Sequence, residues 1–486
     1  MVCDNLRQMN HTVAVESDIT KARGRLKERL GVLFALTVMT AIATLPFFAI
    51  GEDQKVGCCG GEMPVTHDSW MHLNQMRAFY RGLESGRLYP RWDDETHGGY
   101  GAPTLAFYPP GAYYVTSLFY FLARDWSKVW IGFYWLAGFA SAVAIYCYAR
   151  RTMSRAASLM AAAVYVFAPY HLINQYQRGA MAEYLSFIWT PLVLLFAERL
   201  LADSSRRELL LSFAGFSASF GAFLWSHPPT AYQFLLVFGP CFVVWAVWVK
   251  RRRGLLVIGC ATGLGLMIAA AYFLPAIAEQ NLVNYDDVER TWPYHASYVY
   301  DFTQKVYDHA RDAFFIRLDR IWAFNAISVS AGALACLFSA NGVWRKRAGK
   351  DAVDPRVWLW AWAGLIACFL MTKYSEPIGR LIPKIETGVY SWRMLALASF
   401  AVAMLAGACF EVRRGRPECL PPIEVKDNYR GRHSGLPLRR GASLMILIGV
   451  LAASAWYVAW PMWRAQSFEP NPEHYNYATL PRGAPR

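Results

Sequence analysis

The chain has 486 residues, 55% of them hydrophobic and 17% charged, whereas soluble domains carry roughly a quarter charged residues. Apolar stretches of roughly 17–22 residues, enough to cross a hydrocarbon core of about 30 Å, recur along the whole length. The formal charge of +14 does not point to nucleic acid, because the basic residues sit in short clusters between apolar spans. Such clusters fit retention of Lys and Arg on the cytoplasmic side of a membrane. The composition therefore predicts an all-α polytopic membrane protein and excludes a soluble domain.

In chain order, residues 1–30 form a basic, mostly polar tail. A first span from about Gly31 to Ile50 follows, without a small-residue cleavage site, and reads as an uncleaved anchor. Further spans begin near Val129, Ala156, Ser186, Glu208, Thr230, Gly254, Trp322, Val357, Arg393 and Gly441. With the basic clusters at 21–29, 150–155, 206–207, 250–253, 345–350 and 413–440 all cytoplasmic, about 11 transmembrane helices result. The amino terminus is then inside, residues 51–128 and 276–321 are external loops, residues 322–460 carry the last spans, and 461–486 form an external tail. Leu105 to Ala123 is apolar, but counting it as a span would invert every later cluster. It is therefore expected to lie at the membrane surface, where Pro109–Pro110 and its tyrosines suit an interfacial position.

Most cysteines lie within apolar spans and read as small hydrophobes. Cys58 and Cys59 are adjacent, a spacing that pairs only with strain. Walker, Rossmann, HExxH and GxSxG motifs are absent, so no nucleotide cofactor is expected.

The polar stretch from Thr66 to Tyr114 is more than a connector needs. Asp68 and His72 are spaced i, i+4 and share one face of an expected helix. An aspartate at a helix start caps it, and the same carboxylate among aromatics suits a general base or a cation ligand. Asp93, Asp94 and Glu95 read either as a metal-binding run or as a solvated acidic loop. Glu183 follows Arg178 by five residues at a span edge in the loop from Tyr170 to Ser186, where an ionisable group must pair or face a wet cavity. A local ion pair satisfies that rule, and so does Arg178 on an anionic phosphate with Glu183 beside Asp68. Arg91 and Arg393 belong to no cytoplasmic cluster and are candidates for phosphate recognition through their planar forks or for interfacial anchoring. His227, before Pro228–Pro229, is a turn residue or a ligand.

The order of a cytoplasmic start, one span, a polar loop with an aspartate, an aromatic PP segment, two spans and an Arg-Gly-x-x-x-acid loop resembles the GT-C superfamily of membrane glycosyltransferases. HDSWMHL, YPRW, GGYGAP, FYPPGAYY, RGAMAE, SHPPTA and SWRML further resemble bacterial membrane proteins labelled 6-pyruvoyl-tetrahydropterin synthase-related, a label that implies no pterin chemistry here. The resemblance covers roughly residues 31–275 and implies a GT-C-like catalytic module in the bacterial inner membrane, with its active site on the periplasmic face. It implies a polyprenyl-phosphate sugar donor and a glycan, lipid or protein acceptor. Asp68 would be the catalytic carboxylate and Glu183 the second-loop acid, with His72, Arg91, Tyr108, Arg178, His227 and Arg393 in substrate binding. Asp68 stands without a second acid beside it, so a divalent metal (Mg, Mn or Zn) on Asp68 and Glu183 is left open. A transporter or flippase of a lipid-linked sugar, or a non-catalytic scaffold of the same fold, is the competing reading.

Overall fold

The computed structural model describes residues 23–24, 26–49, 55–57, 62–64, 66–94, 96–202, 205–252, 254–283, 298–299, 313–340, 354–382 and 390–412. Eight helices are long and apolar enough to cross a membrane. They are Leu26–Phe48, Trp126–Ala149, Arg155–Arg178, Met181–Leu201, Arg206–Ser226, Pro228–Trp248, Gly254–Leu282 and Ser391–Glu411. Two more helices, Ala313–Ala340 and the 15-residue Arg356–Leu370, carry the spans expected from Trp322 and Val357. The span expected from Gly441 lies outside the described residues, as do Cys58, Cys59 and Glu95.

For reference, α1 is Leu26–Phe48, α2 Ser69–Glu84, α3 Thr104–Phe107, α4 Gly111–Ala123 and α5 Trp126–Ala149. Next come α6 Arg155–Val166, α7 Pro169–Ile173, α8 Met181–Ser186, α9 Trp189–Leu201, α10 Arg206–Ser226 and α11 Pro228–Trp248. The last four are α12 Gly254–Ala278, α13 Ala313–Ala340, α14 Arg356–Leu370 and α15 Leu395–Val412. A two-stranded antiparallel ribbon, Lys55–Gly57 with Glu62–Pro64, is the β structure among the described residues.

Helix–helix packing within a bilayer relies on close approach of small residues rather than on a hydrophobic drive. The pair α10–α12 shows it. A Cβ on Gly265 would lie 3.0 Å from the Ser217 carbonyl oxygen, and one on Gly221 would lie 3.1 Å from the Gly265 carbonyl oxygen. Ser217 Oγ donates to the Ala261 carbonyl at 2.9 Å across the same seam. The alanine-rich α6 is almost wholly buried against α5 and α15. By contrast α12 turns Leu256, Met267 and Leu274 outward, 80%, 72% and 63% exposed, as a lipid-facing helix does.

Two contacts collect the basic connectors at one end of the bundle. Arg155 at the start of α6 pairs with Glu28 of α1 at 2.6 Å, and the Ser154 backbone N–H donates to Glu411 of α15 at 2.9 Å. At this same end Glu198, 1% exposed in its side chain, accepts from Tyr148 at 2.8 Å and pairs with Arg356 at 2.8 Å and Arg151 at 3.3 Å. This cluster locks α5, α9 and α14 together.

The PP segment does not span. Helix α4 has 13 residues, a rise of about 20 Å at 1.5 Å per residue, short of the core of about 30 Å. It packs on α2 and α5, with Tyr114 against Trp225 of α10 at 5.6 Å between ring centroids.

Candidate functional site

The expected external loop from Tyr170 to Ser186 is helical and buried, because its polar side chains bond one another instead of water. The α6 span continues through α7 into a π-helical turn, Asn174–Arg178, and ends at Gly179 in the left-handed region, φ 67°. Single π turns often mark functional sites, since they redirect a side chain within a helix. Tyr170, Asn174 and Arg178 follow at spacings of four and line one face.

These residues converge on Glu183. Arg178 Nη1 donates to Glu183 Oε2 at 2.6 Å and to Asn174 Oδ1 at 2.5 Å, and Tyr170 donates to Glu183 Oε1 at 2.6 Å. A second guanidinium arrives from the start of the last described span, with Arg393 Nε 3.4 Å from Glu183 Oε2. The Arg393 guanidinium lies over the Tyr390 ring at 4.9 Å, and Tyr390 stacks on Trp392 at 4.5 Å. Gln233 of α11 holds the Tyr390 carbonyl at 2.9 Å. The Glu183 carboxylate is 1% exposed; such a charge is tolerable at this depth because both of its oxygens are engaged.

Asp68 is brought to this cluster by main-chain bonds. The His67 and Asp68 N–H groups donate to the carbonyls of Gln177 and Arg178 at 3.0 and 2.9 Å. Gly179 makes the approach possible, since a Cβ there would sit 2.1 Å from Thr66 Oγ1 and 3.2 Å from the Trp130 ring. Asp68 is the N-cap of α2, yet its side chain makes no capping hydrogen bond. The residue as a whole is half-buried, and its carboxyl is not used in capping. Burial pushes its pKa above the usual aspartate range, Arg178 and then Arg393 pull it down, and Glu183 pushes it up.

His72, one turn further along α2, is fully buried. Tyr113 donates to Gln75, so its oxygen accepts from the His72 Nδ1–H at 3.1 Å. Burial, with Arg178 nearby, holds the imidazole at a pKa of about 3, hence neutral. Its Nε2 is buried with no hydrogen-bond partner. Tyr108 packs edge-on against His72 at 5.6 Å; burial, and then the Asp68 charge, raise its phenol pKa.

The structure thus joins Asp68, Glu183, Arg178 and Arg393, with Tyr108 and His72 beside them. Arg91 lies elsewhere, and His227, though near the cluster, has a turn role of its own. Arg91 is not on this cluster: it pairs with Glu279 at 2.5 Å, a partner invisible to local sequence because the two lie 188 residues apart. His227 caps α11, accepting the Thr230 N–H at its Nδ1 at 3.3 Å, which is the turn role. The acidic run is split, with Asp93 buried and Asp94 3.7 Å from Arg87 in an exposed pair.

A divalent metal does not fit Glu183. Both its oxygens are taken by cationic or hydroxyl donors, and two guanidiniums would repel a dication at the same point. Among the described residues no group of three or more His, Cys, Asp or Glu converges as an all-protein metal cage would. Sequence reading passed over Tyr170, Asn174 and Thr66. The first two carried a signal in their four-residue spacing to Arg178, whereas Thr66 carried none, because its role is a contact with Gly179.

Fold and site together define a polytopic helical membrane protein with an ionisable cluster buried at one end of its bundle. The chain belongs to a family described as a family of unknown function (DUF6541), whose model matches residues 7–481. An uncharacterized protein from Lactococcus lactis subsp. cremoris (strain MG1363) is 26% identical over 190 residues. That match takes in 38% of this chain and only 28% of the relative's length. Among solved structures, the chain is similar to ArnT from Cupriavidus metallidurans bound to undecaprenyl phosphate, with a TM-score of 0.45 and 13% identity. The similarity covers 86% of this chain and 63% of that one. The family description assigns no activity, so the pterin-synthase-related label gains nothing from it.

Proposed function

We propose that the chain is a GT-C-type glycosyltransferase that moves a sugar from a polyprenyl-phosphate donor to an acceptor hydroxyl or amine at the Asp68 end of the bundle. The observation that carries this reading is the convergence of Arg178 and Arg393 on buried Glu183, with the uncapped carboxyl of Asp68 tied to the Arg178 backbone. The motif resemblance supports it from the sequence side.

In this reading Asp68 accepts the acceptor's proton as its oxygen or nitrogen attacks the anomeric carbon. The new bond forms at that carbon as the bond to the donor phosphate oxygen breaks, with inversion. The bond electrons leave on the lipid phosphate, whose charge the two guanidiniums offset. The leaving group is already a phosphate and needs little acid assistance. Glu183 holds both arginines in place. Tyr108 and neutral His72 offer a phenol and an unpaired ring nitrogen for sugar hydroxyls. Alternation of basic and polar connectors supports the outer, periplasmic side of a bacterial inner membrane for the Asp68 end.

Comparing envelope glycans and lipids from cells with and without the protein tests this reading. One sugar modification should disappear with the gene and return with it. Identical glycan and lipid profiles would contradict it.

A further inference from the structure

At the far end of the bundle lies an open cavity of about 810 Å³ between α9, α11 and α12. Glu183 and Leu201 occupy opposite ends of the span Met181–Leu201, about 27 Å apart at 1.5 Å per residue, so this cavity is separate from the site above. Its walls include Leu201, Val247 and Val257, and its polar side is Lys250, Arg251 and Arg252.

The turn that carries these cations is built to hold them together. Lys250 N–H donates to the Val247 carbonyl at 3.0 Å and Arg251 N–H to the Ala246 carbonyl at 2.8 Å, the paired bonds that close a Schellman C-cap. The residue in the left-handed position of such a cap is usually glycine, but here it is Lys250, with φ 59°. The chain then enters α12 at Gly254, where a Cβ would lie 2.8 Å from the Leu200 carbonyl oxygen. Three successive cations, each exposed to solvent, therefore border one cavity, and Lys250 occupies a left-handed position that glycine would fill more easily.

The surroundings are those of a membrane interface. Trp248 is 59% exposed at the end of α11, a residue type that settles at headgroup level, and Leu256 is 80% exposed on the outward face of α12. Basic pockets between transmembrane helices recognise anionic headgroups. A soluble phosphate has no use for Leu and Val walls, whereas an acyl chain does.

We propose that this cavity binds the phosphate headgroup of an anionic phospholipid, with the acyl chains leaving along the Leu201–Val257 wall toward the exposed side of α12. The cations supply the charge complement, and the αL lysine fixes the turn that aims them.

The test titrates the purified full-length chain in detergent with fluorescent phosphatidylglycerol, using phosphatidylcholine and inorganic phosphate as competitors. Phosphatidylglycerol should bind in preference to phosphatidylcholine. Lys250→Gly relieves the left-handed strain, so it keeps the fold while weakening binding several-fold. Combining it with Arg251→Gln and Arg252→Gln should weaken binding by roughly tenfold or more. Ala202→Trp, which fills the cavity without changing charge, should do the same. Lys27→Gln with Arg29→Gln removes exposed charge from α1 and should leave binding unchanged. Equal binding of the two lipids, full binding by the triple variant or by Ala202→Trp, or an equal loss on removing the α1 charges would overturn the proposal. Displacement of the lipid by inorganic phosphate at comparable concentration would reassign the cavity to a soluble phosphate and overturn the lipid assignment.

Discussion

Glu183 accepts from Tyr170 and Arg178 and faces Arg393, all within a buried shell. Replacing it with Gln leaves two guanidiniums without their counter-charge, and breaking a buried pair costs about 3–5 kcal/mol. Purified Glu183→Gln should melt well below the wild type, and an unchanged melt would show that the arginines do not depend on it. Asp68 is the opposite case, because burial raises its pKa in the fold. Its ionised form is disfavoured there, so the resulting penalty is absent below the unfolded aspartate pKa of about 3.9 and complete above the folded value. Asp68→Asn should therefore be at least as stable as the wild type at pH 7, with the difference vanishing as pH falls through that window. Transfer by the wild type should fade with acid over the same window, above where an ordinary aspartate titrates. These residues were legible because ionisable groups at span edges are costly. Arg91 misled, because an arginine outside the basic clusters looks alike whether it meets a phosphate or Glu279.

The span edge between α7 and α8 was read as a loop on polarity alone. In the structure its polar side chains satisfy one another: Tyr184 donates to Gln175 at 3.2 Å, and Gln175 in turn donates to the Ala43 carbonyl of α1 at 3.2 Å. No single-sequence pattern distinguishes that closed network from a wet loop. The hinge of this element is Gly179, whose φ of 67° and contact with Thr66 set how close Asp68 comes to Arg178. Gly179→Ala should lower transfer by about 100-fold, the scale expected for a displacement of about 1 Å in a catalytic group. Thr66→Ala in the same chain should restore part of that loss by making room. Equal activity of Gly179→Ala and wild type would detach the Asp68 loop from function.

Helix count and order were largely readable, because length and apolarity are local properties of the chain. Ten of the eleven expected spans fall on described helices, and the eleventh lies outside the described residues. The Glu198 cluster was missed although a carboxylate inside an apolar helix is a flag in itself; its partners come from α5 and α14, far away in sequence. The shared end of the basic connectors makes a labelling prediction about the whole molecule. An impermeant thiol reagent outside intact cells should modify Lys128→Cys and spare Arg206→Cys, in a background with the native cysteines removed. The reverse pattern would invert the orientation and move the Asp68 site to the cytoplasmic face.

The claim that Asp68 at the Arg178–Glu183–Arg393 cluster performs sugar transfer meets its most direct test in reconstituted vesicles. Full-length wild type and Asp68→Asn would be supplied with polyprenyl-phosphate sugars and membrane extract as acceptor, and release of the polyprenyl phosphate measured. The account predicts turnover by the wild type and a loss of at least about 100-fold in Asp68→Asn, with expression and melting preserved. Full turnover by Asp68→Asn would contradict it.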